Sequence, residues 1–284
     1  MADIITGVTE VDVTIEEIVS LSVQEVLTAE MIMPQTILDY SAQVGPGMDT
    51  LKIPRFSNFT VDTKAANTAI NAQTNTFSAD SLLLDRHKVI QFLLEDIASL
   101  QAKVQIVQQY INQAGRDLAA EIDDAILREM EANVSSAAPD HIIAFDNSPT
   151  NTLSKGDVLN ARELLNKAKV PVSDRFCVVS PLREAELMAI QEFTRVNEAG
   201  ADQALRNGFI GRLFGFEVLM SPQVDDDATL FYHRSTCVFA RQLAPRTQVE
   251  KDLPHLAERW SIDHIYGRKM LDSGKRAVRI KIGG

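Results

Sequence analysis

Cysteine is scarce in this 284-residue chain. Cys177 and Cys237 are the two present, and they lie far apart in apolar, strand-like runs, RFCVVS and STCVFA. That spacing forms neither a disulfide framework nor a paired-cysteine zinc motif, and it points to buried free thiols in a reducing compartment. The five histidines (His87, His141, His233, His255 and His264) include no H-E-x-x-H pattern, so no metal site is expected. The N-terminal MADIITGVTEVDV lacks the basic start and apolar centre of a signal peptide, and no apolar run approaches the length of a membrane span. We therefore expect a soluble protein, made inside the cell, with no membrane partner. Basic charge is also in deficit: 28 Lys and Arg stand against 39 Asp and Glu, a net charge of −11. Nucleic-acid affinity comes from cations neutralising phosphates, so this balance argues against general DNA binding by the free chain. It permits self-assembly only where local contacts outweigh repulsion.

Signatures of catalysis are missing as well. GFIGRLFGFEVLMSP holds Gly208, Gly211 and Gly215, but their spacing is not that of a dinucleotide loop. A strand-like FEVLM follows them where a phosphate-binding helix would be needed. These glycines read as turn formers. Asp225, Asp226 and Asp227 read as a solvated turn and not a cation site. Glu121 and Asp124 share a helix face without a nearby pocket, and Ser180 is explained as a helix cap. No cofactor and no enzymatic activity are expected.

Several elements are legible in what remains. An arm to about Val44 carries a T-x-x-E capping box, Thr14 and Glu17, with Pro34 near the end of its helix. After GPGMD, the run TLKIPRF reads as an edge strand, because Pro54 cannot donate to a ladder. The returning strand is read as SLLLDRHKVIQFLLED, with the small, polar TKAANTAINAQTNT between the two. With about twenty residues a side, such an arm could extend up to about 65 Å. The expected radius of gyration is only about 19 Å, so the tip should reach past its own domain to another copy of the chain. The residues expected at that contact are Pro54, Arg55, Phe56, Lys64, Asn67, Asn71 and Arg86.

Ser99 to Asn133 then reads as a long helix with Leu100, Val104, Val107, Ile111, Ala114, Leu118, Ile122, Ala125 and Met130 on one stripe. An α/β segment follows. Ser154 and Asp157 open one helix, RFCVVS is a buried strand, and Ser180-Pro181 starts a second helix. GFEVLMS, LFYH, TCVFA and the C-terminal ERWSIDHIYGRKML and RAVRIKIGG read as strands. In the last of these, Val278, Ile280 and Ile282 alternate with Arg279 and Lys281.

This layout resembles the tailed-bacteriophage major capsid protein, carried by GMDTLKIPRF, VVSPLREAELM, NGFIGRLFGFEVLMSPQV and YGRKMLDSGKRAVRIKIGG. The resemblance implies an α+β, HK-ninety-seven-like capsid fold. On that likeness residues 1–48 are an N-terminal arm, 49–96 an extended loop and 97–150 a peripheral domain with its spine helix. Residues 151–255 are an axial domain, and 256–284 are C-terminal strands returning to these domains. Some members carry a long cleaved scaffolding segment ahead of the arm; here the sequence opens almost directly at the arm. The implied function is a self-assembling icosahedral virion shell of hexamers and pentamers around packaged double-stranded DNA. Portal, scaffolding or decoration proteins would be its partners. Arg276, Arg279 and Lys281 are the candidates for nonspecific DNA contact. The alternative is an encapsulin-type compartment on the same fold, and behind it an α/β enzyme or small-molecule binding protein.

Overall fold

A computed structural model of the chain describes residues 31–45, 47–56, 77–95, 105–137, 139–147, 150–190 and 211–282, with Val23 and isolated positions between 57 and 76. The capping box at Thr14 and the first turns of the expected long helix lie outside the described residues, as do Asn71 and Gly208.

The architecture rests on helix α2, Gln105–Asn133, which follows the short helix α1, Met33–Thr36. Ile111, Ala114, Leu118, Ile122, Ala125 and Met130 of the expected stripe are all buried, and so are Ala119, Ile126 and Leu127 beside it. The buried arc is therefore wider than one stripe, because α2 is covered from two directions. A four-stranded sheet, in the order β1-β10-β11-β4, covers it from one side. Its strands are Leu38–Asp39 (β1), Cys237–Asp252 (β10), Ala257–Met270 (β11) and Arg86–Glu95 (β4). Phe239, Trp260, Ile262 and Tyr266 of this sheet share one core cluster with the helix.

A mixed six-stranded sheet, in the order β5-β12-β9-β6-β8-β7, forms the other body. It comprises Ile142–Ala144 (β5), Arg175–Val179 (β6), Arg212–Leu213 (β7), Phe216–Met220 (β8), Ala228–His233 (β9) and Ala277–Lys281 (β12). All six residues of β9 are buried. Leu230 and Tyr232 belong to the α2 core, whereas Phe231 packs with helix α3, Lys155–Lys167, in a second cluster. This sheet is thus covered on both faces, which explains why burial is unbroken along ATLFYH. Both cysteines are buried free thiols, as expected.

Local signals for the α/β segment hold. The Ser154 hydroxyl accepts from Asp157 N at 3.2 Å while Asp157 Oδ2 accepts from Ser154 N at 2.7 Å, closing the capping box of α3. Ser180 caps helix α4, Pro181–Met188, with proline in its first turn. Gly211 and Gly215 are turn formers: Leu213 pairs with Phe216 across Phe214 and Gly215, whose φ values are 47° and 88°. Two successive positive φ angles make the tight hairpin turn that suits sheet twist.

Two strand readings need correction. The run Ser81 to Asp96 is two strands, and only the first belongs to the hairpin. Strand β2, Thr50–Phe56, pairs with β3, Phe77–Leu83, whereas β4 pairs with β11. Inward positions stay even-numbered through Leu82, Leu84, Ile90 and Leu94, so the alternation has no break to mark the hand-over. At the hand-over Leu84 N donates to Asp49 O at 3.0 Å, and Gly267 passes so close to the Leu83 carbonyl that a Cβ would collide with it. The second correction concerns TCVFA, which is only the start of the 16-residue β10. That strand continues past Pro245 because register shifts between Arg241 and Arg246 take the proline out of the ladder.

The segment entering α1 is tied to the spine helix by one side chain. Asp123 accepts from Ile32 N and Met33 N, each at 3.0 Å, in a buried site. Asp123→Ala would leave both donors without that acceptor and should lower stability by about 2–4 kcal/mol in urea denaturation. An unchanged midpoint would refute the tie. A second test is a pH profile. His264 is fully buried, stacks on Tyr266 at 5.2 Å, and among the described residues has no hydrogen-bond partner on either ring nitrogen. Burial lowers its pKa to about 4 from the usual 6.5. The unfolded chain therefore takes up this proton first as pH falls from 6.5 to 4, and folding stability is lost across that window. Relative to the unaltered protein, His264→Phe should gain stability over the same window.

Candidate functional site

The base of the β2–β3 ribbon is held to its own chain. Ile53 and Leu82 are buried with Leu84, Val238 and Ala240 in a third small core. Arg55 pairs with Asp80 at 3.5 Å and with Asp272. Asp272 also accepts from Arg276 Nε at 3.1 Å, and Arg276 reaches Ser235 Oγ at 2.7 Å. These groups border a cleft of about 830 Å³ between the ribbon, the end of α3 and the turn before β12.

The residues expected at a subunit contact fall into two sets. Pro54, Lys64, Asn67 and Arg86 are exposed, and Asn67 takes a positive φ of 65°. Arg86 pairs weakly with its neighbour Asp85 at 3.7 Å. Arg55 instead spends its guanidinium on the ion pairs that anchor the ribbon. The backbone of Phe56 pairs with Phe77. Among the residues considered for DNA contact, Arg276 is held by Asp272, and Arg279 Nη2 pairs with buried Glu131 at 3.6 Å. Lys281 is half-buried on β12. The wet side of this last strand is thus partly closed by α2, and Ile282, expected on the buried side, is exposed.

Several surface features were not singled out in the sequence. Leu83, Val89 and Leu93 are about half exposed on the outward positions of β3 and β4. Their odd-numbered alternation was the available signal, but reading one continuous hairpin strand obscured it. Phe59 and Val61 are 67% and 96% exposed near the start of the ribbon's tip. Leu253 and Leu256 project from the β10–β11 turn, where Leu256 sits at φ 46°. Exposed apolar residues on ribbon, edge strand and turn are the mark of an interaction surface.

Ion pairs fix the platform behind that surface. Asp263 accepts from Arg246 at 2.8 and 3.0 Å and lies 2.8 Å from His87 Nε2. Burial alone would raise its pKa, but the Arg246 and His87 bonds outweigh burial and hold it below the usual value. Glu121 accepts from the Tyr266 hydroxyl at 2.9 Å and pairs with Lys88 at 2.6 Å, joining α2 to β11 and β4. Asp124 turns to Arg128, which also grips Asp225 through bonds of 2.5 and 3.1 Å. Glu121 and Asp124 therefore serve different structural ties, and Asp225 is no free turn residue. Burial raises the Glu131 pKa, opposed by Arg279 and Arg128. Among the described residues no cluster of His, Cys, Asp and Glu is placed to hold a metal ion, and no helix is long and apolar enough to cross a membrane.

A family model described as phage capsid protein matches residues 83–272, about two-thirds of the chain. The chain belongs to the phage capsid protein family. Its role is structural, as a shell protein of the virion. Solved structures agree on the fold. A chain from Mycobacterium phage Che8 matches at TM-score 0.69 and 23% identity, covering 88% of this chain and 90% of that one. The mature capsid of bacteriophage PhiM1 matches at TM-score 0.68 and 14% identity, covering 89% and 87%. A virus-like particle from Pyrococcus furiosus matches at TM-score 0.58 and 8% identity, covering 93% and 98%. No curated protein sequence matches. The fold is the HK-ninety-seven-like capsid fold that the sequence resemblance implied.

Because Arg55 is partly exposed, its ion pairs should contribute no more than about 1 kcal/mol to global stability. Arg55→Ala should leave the urea midpoint nearly unchanged while speeding amide exchange in Thr50–Phe56. Equal exchange in both proteins would show that the apolar base alone holds the ribbon.

Proposed function

We propose that this capsid chain is the major subunit of a closed icosahedral shell, built from pentamers and hexamers, around the double-stranded DNA of a tailed phage. The observation that carries the reading is the β2–β3 ribbon. Its base is packed and ion-paired within the chain, while Phe59, Val61, Lys64 and Asn67 beyond it are exposed. A two-stranded ribbon is marginal in water by itself, so its outer part gains support by lying on another copy. Leu83, Val89, Leu93, Leu253 and Leu256 offer the apolar surface for such contacts. Obligate interfaces between subunits bury roughly 2,000–5,000 Å², well above what the small tip alone could supply.

In this proposal the arm is residues 1–48, the extended loop 49–96, the peripheral domain 97–150, the axial domain 151–255, and 256–284 the returning strands. The contact set is Pro54, Arg55, Phe56, Lys64, Asn67, Asn71 and Arg86, with Arg55 also anchoring the ribbon through Asp80 and Asp272. Portal and scaffolding or decoration proteins would be further partners, and assembly would take place in the host cytoplasm. Arg276, Arg279 and Lys281 would touch packaged DNA without regard to sequence.

Deleting residues 64–75 should leave the circular dichroism spectrum of a folded protein and abolish particles in negative-stain micrographs. Normal shells from the deletion would overturn the role of the ribbon. A second expectation concerns nucleic acid. With a net charge of −11 and Arg276 and Arg279 committed to intrachain ion pairs, unassembled subunits should give no gel shift of duplex DNA at moderate salt. Tight, sequence-selective binding would point to a regulatory protein instead. Finding folded cargo and no DNA inside purified particles would favour the encapsulin-type compartment.

A further inference from the structure

Charge is distributed very unevenly along this chain. Nine acidic and no basic residues precede Lys52, leaving 30 acidic against 28 basic in the remainder. The N-terminal part therefore carries most of the net negative charge. Within it, Glu10 and Asp12 alternate with Val11 and Val13, a pattern that in extended chain puts carboxylates on one side and branched apolar groups on the other.

The cleft at the ribbon base has the complementary character. Ile53, Pro54, Val170, Pro171 and Leu271 supply apolar lining. Arg55, Lys167, Lys169, Lys275 and Arg276 supply five cations against two acids, Asp80 and Asp272. Both acids are already engaged by Arg55, and Asp272 by Arg276 as well. Lys167 pairs with Glu163 at 2.6 Å. Lys169 and Lys275 are exposed and have no ion pair among the described residues. Among the described residues a net positive cleft is thus left open, on a chain that is strongly negative overall.

We propose that this cleft is the docking site for the acidic N-terminal arm, Asp3 to Glu17, of a neighbouring copy. The inference rests on the shell function proposed above. The arm's own cleft is also within reach: α2 runs on from Asp123, where Ile32 and Met33 are tied, by about 15 Å to its end near Ser135. Exchange between copies is favoured because the cleft is continuous with the ribbon that meets the neighbour. It also converts the largest concentration of negative charge into an attraction between subunits that otherwise repel. Exposed ion pairs of this kind are individually weak and screened by salt, so the contact is reversible and cooperative with the rest of the interface.

Two full-length variants test the pairing. One neutralises the arm (Asp3→Asn, Glu10→Gln, Asp12→Asn, Glu16→Gln, Glu17→Gln), and the other reverses the cleft (Lys169→Glu, Lys275→Glu). Each alone should keep the native circular dichroism spectrum and lose at least tenfold of the pelletable particles formed by the unaltered protein. An equimolar mixture should form several times more particles than the two variants give separately. The acidic arm of the cleft variant can enter the basic cleft of the arm variant, restoring up to half of the pairings, while the neutral arm meets the reversed cleft without repulsion. No recovery in the mixture would overturn docking between copies, since arms held in their own clefts cannot be rescued this way. Normal assembly of either variant alone would overturn the pairing while leaving the shell function intact. Failure of the unaltered chain to form any particle would count against both.

Discussion

Burial of one helix between two sheets is the constraint from which the rest of this subunit follows. Ile111, Leu118, Ile122, Ile126 and Met130 share a single core with Trp260 and Tyr266 of the four-stranded sheet and with Leu230 and Tyr232 of the six-stranded sheet. A helix covered from two sides cannot rotate to favour one sheet without uncovering the other. The polar ties run along the same axis. Glu121 holds Tyr266 and Lys88, Asp123 holds the backbone at Ile32 and Met33, and Arg128 and Glu131 reach Asp225 and Arg279. Each tie joins α2 to a different element, so the helix sets the relation between the two bodies.

That stiff body contrasts with what it leaves uncovered. Among the described residues the ribbon is packed at its base, and the surfaces with exposed Leu83, Val89, Leu93, Leu253 and Leu256 have no partner. A rigid centre with unsatisfied extensions suits a building block whose remaining contacts come from copies of itself. The excess of acidic charge then acts as a brake, requiring those contacts to be specific before subunits associate.

Much of the α/β body was legible because its signals are local. The Ser154–Asp157 box, the Ser180-Pro181 start and the Phe214-Gly215 turn each depend on residues within a few positions of one another. The hairpin was only half legible. Nothing in SLLLDRHKVIQFLLED marks where the chain leaves β2 for β11, since the alternation of inward and outward residues runs on unchanged. The extension of β10 past Pro245 was hidden for a related reason: a bulge, decided by its partner strand, made room for a residue that local rules exclude. The candidate contact residues divided likewise. Pro54, Lys64, Asn67 and Arg86 proved exposed, whereas Arg55 and Arg279 were claimed by Asp272 and Glu131, which are remote in sequence.

By itself, the sequence determined the α+β class, the long helix, the caps and glycine turns, and the capsid resemblance that the family match bears out. Periodicity, capping and turn chemistry act over a few residues and survive in the linear order. Only the tertiary structure decided that α2 is buried on two faces, that β4 belongs to the four-stranded sheet, and which charges stay free. Those outcomes depend on partners far apart along the chain. His87 and Asp263, 176 residues apart, meet only when the sheet closes, and a charge can be known as open or spent only after every such pairing has been made.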